Sequence, residues 1–404
     1  MKKYLEKAFA EIAQLGLDTE QKIMRLAFSP EHEKVVAYVI KLMRDCNLQV
    51  YRDGVGNVIA RKEGKADLPA LMMGSHLDSV PDGGNYDGVV GVLGALAIIN
   101  SFATENYQNK HPLEIVVFMA EESSLFGCST LGSKAFWGLL TEADSLKIKN
   151  NDGITFSEVL QQKKWAGVSS AQYQGQIKAF WEIHIEQGAV LEQNNVAVGL
   201  VNGIFAPTRA VITIKGEANH SGATPMNLRR DGLCGAAEII LAVEKLGKLY
   251  GADLVATVGI ITATPNVMNV IAGQVELGLD VRSIDRKLKK DFFGKLRLLL
   301  SVIAIKRMLK LQIEMKNDEE PVLLDKELLK TSQAVCAKLG YSYQVMPSGA
   351  GHDSMNFAKF VPTGMIFVPS HNGLSHNPQE YSEISDIVKA CLVLKELLKL
   401  ADAE

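Results

Sequence analysis

His76 and Asp87 are of residue types, and in a setting, that suit metal chemistry. His76 lies in Gly74-Ser75-His76-Leu77-Asp78 and Asp87 in Gly83-Gly84-Asn85-Tyr86-Asp87-Gly88. A neutral imidazole and a carboxylate presented from glycine-rich loops match a transition ion such as zinc. Alone, the pair reads equally well as two side chains capping loop backbone, so other clusters must decide. Glu121 and Glu122 are adjacent. Neighbouring side chains leaving a strand point in roughly opposite directions, so one carboxylate can hold a metal while the other faces a substrate. His184, in Phe180-Trp181-Glu182-Ile183-His184-Ile185-Glu186-Gln187-Gly188, has the setting of a hydrogen-bonded core histidine. Glu186 and Gln187 ahead of a glycine shift that reading toward a site.

The elements that must position these groups are legible from apolar patterning. Residues 70–73 form an apolar run too short for a helix, read as a buried strand ending at His76. Residues 89–99, rich in Gly and Ala, read as a buried helix opening just after Asp87. Residues 113–120 read as a second buried strand that delivers Glu121 and Glu122. Strand, helix and strand in that order predict a parallel pair with a right-handed crossover. Ligands in such sheets bind outside the carboxyl ends of the strands. Upstream, Ser29 and Pro30 with Glu31 and Glu33 signal a helix start, followed by a stripe of Val35, Val36, Val39, Ile40 and Met43. Residues 48–61 have strand character with a turn at Asp53-Gly54, and 144–178 read as loop and short helices.

From about 210 the texture changes. Strands at 209–215, 254–262, 274–282 and 311–316 and helices at 232–249 and 285–308 follow the order β-α-β-β-α-β, a ferredoxin-like split unit. The expected architecture is α/β. It has a mixed, mostly parallel sheet with helices on both faces for the catalytic domain, residues 1–209 and 325–404. An inserted ferredoxin-like α+β lid or dimerisation domain spans 210–324, and a second copy of the chain could cover its outer sheet edge. A helix near 326–339, the loop Ser348-Gly349-Ala350-Gly351-His352-Asp353, a strand at 365–368, the loop from Pro369 to Pro378 and a final amphipathic helix complete the chain.

With 404 residues, 47% hydrophobic and 22% charged, the chain has the composition of a folded enzyme of about two domains. A net charge of -3 gives no reason to expect nucleic acid or an anionic membrane as partner. Cys46, Cys128, Cys234, Cys336 and Cys391 are scattered without a CxxC pair, and read as buried thiols in a reducing compartment. The N-terminal residues lack the apolar core of a signal peptide, and no run reaches membrane-span length, so a cytoplasmic location is expected. Of the histidines, His76, His184, His352, His371 and His376 fall at strand ends or glycine-rich loops. His220 falls in the insert, and His32 and His111 read as surface residues.

The blocks GSHLDSVPDGGNYDG, MAEES, HIEQG, NHSGATPM, NVIAGQVELGLDVRS, SGAGHDSM and GLSHNPQE keep one order from about Ser29 to the C-terminus. Together they resemble the dinuclear-metal amidohydrolases of the aminoacylase and carboxypeptidase clan (peptidase M20). The branch most resembled is that of N-carbamoyl-L-amino acid hydrolases, allantoate amidohydrolases and β-ureidopropionases, to which HIEQG and NHSGATPM point. The resemblance implies two divalent ions per subunit, zinc or else manganese, cobalt or nickel. They would be bridged by Asp87, one also held by His76 and His184, the other by Glu122 and His376. It implies that Glu121 is the general base, that His220 acts in catalysis from a partner subunit of a homodimer, and that Gln187, His220, Asn269, Arg282, Gly351 and His352 hold the substrate. The expected reaction is hydrolysis of the terminal C–N bond of a carbamoyl group on an amino-acid-like acid. Related readings are allantoate amidohydrolase, β-ureidopropionase, and an aminoacylase or dipeptidase. A reading of another class is a non-catalytic binding protein on the same scaffold, which would have no need of Glu121. The sequence departs from the family at Leu125, where relatives commonly carry Arg, and at Ala272, where Pro is usual.

Overall fold

Buried strands with alternating side chains build the large sheet. The computed structural model describes residues 1–404. After two helices, Lys2–Ile12 and Pro30–Asp45, come the strands β1 (Gln49–Arg52), β2 (Val58–Lys62), β3 (Ala70–His76), β4 (Leu113–Phe118), β5 (Ile177–Ile185) and β6 (Val198–Ile204). The chain continues through β7 (Ala206–Lys215), β8 (Asn219–His220), β9 (Val255–Thr264), β10 (Val270–Ile271), β11 (Gln274–Ser283), β12 (Lys310–Asp318) and β13 (Val322–Leu323). It ends with β14 (Tyr343–Ser348) and β15 (Thr363–Val368). The large sheet has the order β1-β2-β4-β3-β5-β15-β6-β13, with β14 also on β6. Its centre, β4, β3, β5 and β15, is parallel, and its flanks are antiparallel.

Both faces of that centre are covered, which is why its strands are apolar on both sides. Leu71 and Met73 of β3, Ile115 and Val117 of β4, and Trp181 and Ile183 of β5 join the main core. The helices Pro30–Asp45, Val89–Thr104, Lys326–Leu339 and Ile384–Ala403 contribute to the same core. The alternate residues Met72, Val116, Phe118 and Phe180 pack with Phe136 and Phe357 on the opposite face. By the same alternation His76 and His184 project to that second face. The helix Val89–Thr104 is buried continuously from Val89 to Ile99 and crosses from β3 to the parallel β4, as the sequence pattern requires.

The chain divides into two compact units, Met1–Asn202 with Leu324–Glu404, and Gly203–Leu323. The second has an antiparallel sheet in the order β12-β7-β11-β9 and a small ribbon of β8 with β10. Val275, Leu277, Leu279 and Val281 of β11 share one core with Ile239 and Val243 of the helix Gly232–Lys248 and Phe292 and Leu296 of Arg286–Arg307. The strand read as starting at Arg209 starts at Ala206, because Pro207 and Thr208 already pair with Arg282 and Val281.

Other sequence expectations are corrected. His32 and His111 are buried, not surface residues. His32 belongs to the stripe of Val35, Val36, Val39 and Met43 on the inner face of its helix. His111 is held by Asp402, which accepts from its backbone N–H, and by Pro69, whose carbonyl meets its ring. Of the cysteines only Cys336 and Cys391 are fully buried, and Cys234 is exposed. No helix is long and apolar enough to cross a membrane.

Candidate metal centre

The parallel strands end together. β3 stops at His76, in register with Phe118, the last residue of β4, and His184 near the end of β5 pairs with Phe367 of β15. The loops that follow carry Asp87, Glu121 with Glu122, Gln187 and His376, so groups far apart in sequence meet at one sheet edge. Gly88 makes the closest approach possible. It has φ +66°, and a Cβ there would run into the His76 ring.

Asp87 is the centre of the cluster. Its Oδ1 lies 3.3 Å from His76 Nε2 and 3.2 Å from His184 Nε2. Its Oδ2 lies 3.5 Å from His376 Nε2, which is itself 3.1 Å from Glu122 Oε1. The donor atoms of His76, Asp87 and His184, and those of Asp87, Glu122 and His376, each fall within 4.8 Å of one another. Asp87 belongs to both groups. Two imidazoles with a carboxylate, and one imidazole with two carboxylates, are donor sets suited to zinc, manganese, cobalt or nickel. The histidine rings are oriented through their other nitrogens: His76 Nδ1 meets the Asp78 carbonyl at 3.0 Å, and His184 Nδ1 the Ile185 carbonyl at 3.0 Å. Such contacts turn Nε2 toward the Asp87 carboxylate, where that of His184 also accepts from the Gly88 N–H at 3.3 Å.

The electrostatics fit the same picture. Burial opposes charge on His76 and His184, but Glu121 and Asp87 beside the first and Asp87 beside the second outweigh it and raise both. Burial likewise opposes charge on Asp87, yet the surrounding histidines hold it well below the usual carboxylate range. Hydrogen bonding to Asp87 and Glu122 moves His376 up to about 10. The cluster therefore draws positive charge to its centre.

Glu121 belongs to none of the three groups of converging donors, the third being Glu182, His184 and His352. It is 7% exposed, and burial, with Asp353, Glu122 and Asp78 adding to it, pushes its carboxyl well above the usual range against the pull of His76. Asp78 accepts from the backbone N–H groups of Glu121 and Glu122 at 3.3 and 3.0 Å and so fixes both glutamates.

The remaining expected residues fall in two places. Gln187, with φ +59°, donates from Nε2 to Asp87 Oδ2 at 2.6 Å, and its buried Oε1 has no partner. His352 is buried behind the cluster, its ring 4.4 Å from that of His184 and its Nε2 2.8 Å from Ser348 Oγ, whereas Gly351 is exposed. Glu186 caps the short helix Val190–Gln193 by accepting from the N–H groups of Val190 and Leu191. His220, Asn269 and Arg282 belong to the second unit. There His220 pairs with Val270, and Ser221 donates to the Asn269 carbonyl at 3.0 Å. His220 Nδ1 accepts from the N–H groups of Gly222 and Ala223 at 3.0 and 3.1 Å, which leaves Nε2–H as the ring's donor. Arg282 Nε donates to Asp280 Oδ1 at 2.9 Å. Leu125 packs against the apolar cluster of Phe28, Phe126 and Phe156.

A mixed sheet with histidines and carboxylates gathered outside its parallel strand ends is a scaffold able to hold metal ions. Residues 72–400 match the model of peptidase family M20/M25/M40, and the chain belongs to that family. It is 37% identical to an N-carbamoyl-L-amino-acid amidohydrolase of Pseudomonas sp. (strain NS671), over 96% of this chain and 95% of that one. It is 35% identical to the allantoate amidohydrolase of Escherichia coli (strain K12), over 98% and 96%. Among solved structures it resembles an amidase of the hydantoinase/carbamoylase family from Burkholderia multivorans, at 32% identity and a TM-score of 0.93, covering 100% of this chain and 98% of that one.

Proposed function

We propose that the chain is an amidohydrolase of ureido acids, and that N-carbamoyl-L-amino acids are its substrates. The observation that carries this reading is the separation of roles at the sheet edge. Two donor groups share Asp87, and a buried carboxylate, Glu121, stands beside them without belonging to either. A binding protein would need the donors but not Glu121. His76, Asp87 and His184 would hold one divalent ion, and Asp87, Glu122 and His376 a second. Bound there, the ions supply the acidity that lowers the pKa of a water and polarises a carbonyl.

The chain's own groups do the rest. Glu121, raised by its surroundings, accepts the proton of the attacking water and returns it to the leaving nitrogen. Gln187 Oε1, buried and unpartnered, offers an acceptor to the ureido N–H groups. Arg282 presents a planar fork to the substrate carboxylate, with Asn269, Gly351 and His352 as further substrate contacts. His352 would act through the wall it forms behind His184.

The inserted unit supports a homodimer. Edge strand β9 exposes Ile260 and Ile261, and the adjoining helix exposes Leu241, an apolar edge that a second copy would cover. His220, with its Nε2–H free, would then donate to the tetrahedral oxyanion in the partner's site.

The test is ammonia release by protein stripped of metal and reloaded with zinc, manganese, cobalt or nickel. N-carbamoyl-L-amino acids, ureidopropionate and allantoate are compared. Metal-dependent turnover fastest on carbamoyl-amino acids is the expected result. Preference for allantoate or ureidopropionate would move the substrate assignment, and no ammonia from any of them under any metal would overturn the reading.

A further inference from the structure

Asp87 can serve two ions only if its backbone is fixed, yet the residues before it, Gly83 to Tyr86, have no helix or strand to hold them. Two side chains from opposite ends of the sequence supply that hold. Glu380 Oε1 accepts from the N–H groups of Tyr86 and Asp87 at 2.8 and 3.0 Å. Its Oε2 lies 2.9 Å from Ser375 Oγ, which is also 2.9 Å from Asp87 Oδ2. One carboxylate thus grips the backbone of Asp87, and Ser375, with one hydroxyl proton to give, stands between that carboxylate and the Asp87 side chain. Ser375 and Glu380 lie in the same loop as His376.

Arg25 closes the other side. Fully buried, it donates from Nη2 to the Gly84 carbonyl at 3.1 Å, from Nη1 to Asn85 Oδ1 at 2.9 Å, and from Nε to the Leu77 carbonyl at 3.2 Å. These bonds tie the loop of Asp87 to the residue that follows His76. Gly84 lies between the two gripping groups: its carbonyl meets Arg25, and a Cβ there would overlap the Glu380 carboxyl.

We infer that Arg25 and Glu380 are positioning residues for the shared carboxylate, holding Asp87 so that the His76–His184 pair and the Glu122–His376 pair are occupied together. The inference rests on the reading of Asp87 as a ligand common to both ions. Partners behind a ligand typically set metal affinity by about 10- to 100-fold. A clamp of this kind acts on the coupling between the two ions more than on the fold.

The experiment uses full-length protein loaded with manganese. Stoichiometry and affinity are measured by competition titration, ion pairing by electron paramagnetic resonance, and stability by thermal unfolding of the metal-free form. Wild type should bind two ions and show the signal of a coupled pair; fewer than two, or an uncoupled signal, would refute the shared-ligand reading itself. Glu380→Gln and the milder Ser375→Ala should keep the metal-free unfolding temperature near wild type. Both should weaken binding of at least one ion by about 10-fold or more, with loss of the coupled signal. Arg25→Lys, which keeps the charge but not the three-way geometry, should do the same and lower kcat more than it raises KM. Wild-type affinity and coupling in both Glu380→Gln and Ser375→Ala would overturn the inference. So would a loss confined to the stability of the metal-free protein.

Discussion

The Glu121 carboxylate stops 3.9 Å from the Nε2 of His76, near the cluster but outside all three groups of converging donors. Its neighbour Glu122 reaches His376 at 3.1 Å. On the proposed reading the two glutamates would divide proton transfer from metal binding. Glu121→Gln should keep two metal equivalents and the wild-type fold while losing about 100-fold or more in turnover, the scale of general acid–base help. Metal analysis beside steady-state kinetics checks this. Loss of a metal equivalent in that variant would mean that the roles are interchanged.

The role of His220 can be tested with two inactive proteins. Glu121→Gln and His220→Ala chains are mixed under conditions that exchange subunits, with a tag on one chain to confirm exchange. If His220 serves the partner's site, each hybrid dimer has one intact site. About half the dimers are hybrids at equal mixing, so about a quarter of wild-type activity should return. A mixture as inactive as its parts would show that His220 serves its own chain or only the turn that its Nδ1 braces.

Arg282 shares Asp280 with Arg209, whose Nε lies 3.1 Å from the second carboxylate oxygen. Asp280 thus aligns the guanidinium as well as balancing its charge. Arg282→Lys should raise KM for a carbamoyl-amino acid at least about 10-fold despite the retained charge, because one ammonium cannot replace the fork. An amidated substrate should react poorly with wild type and distinguish the two proteins little. Equal wild-type kinetics on acid and amide would remove Arg282 from the site.

Burial first, and the charges of Arg25 and Arg52 next, move His32 down to about 3, and neither ring nitrogen has a partner. The unfolded chain, with an ordinary value near 6.5, binds the extra proton between these limits. His32 thus leaves stability intact above about pH 6.5 and diminishes it as pH falls toward 3. Between pH 7 and 5 the loss is about 2 kcal/mol. Metal-free wild type and His32→Leu should differ by that amount in the pH dependence of denaturant unfolding, since other groups titrate alike in both. All three tryptophans, Trp137, Trp165 and Trp181, lie in the first unit, so their fluorescence follows it directly. Parallel pH profiles would contradict the prediction.

The sheet centre and the strand ends at His76, Glu121 and His184 were legible because their signals are local, whereas the grouping of Asp87, Glu122 and His376 rested on the family resemblance. Short apolar runs end at His76, Glu121 and His184, and glycines follow each or precede the next helix. Arg25, Asp78 and Glu380 were missed as positioning groups because their partners are distant: Glu380 and Tyr86 are 294 residues apart, Arg25 and Gly84 59. No periodicity reports such a bond. The burial of His32 did have a signal, its place in the helical stripe with Val35, Val36 and Val39, but a polar residue three positions after the N-cap reads as solvent-facing. The ferredoxin-like order was readable from alternation alone, whereas the start of β7 was hidden by Pro207, which breaks the pattern without breaking the pairing.

The chain leaves the first unit after Asn202 and re-enters at Leu324, whose N–H donates to the Asn202 carbonyl at 3.1 Å. Leu323 pairs with Gly203 just beyond. The ends of a roughly 120-residue excursion are thus stapled side by side. Closing a flexible loop of that length costs about 4 kcal/mol of chain entropy. An insert that folds before its host has already met that cost, and joins the two halves of the first unit almost as if they were continuous. Were the insert to fold first, lesions in it would slow the assembly of the donor cluster, to which it contributes no group.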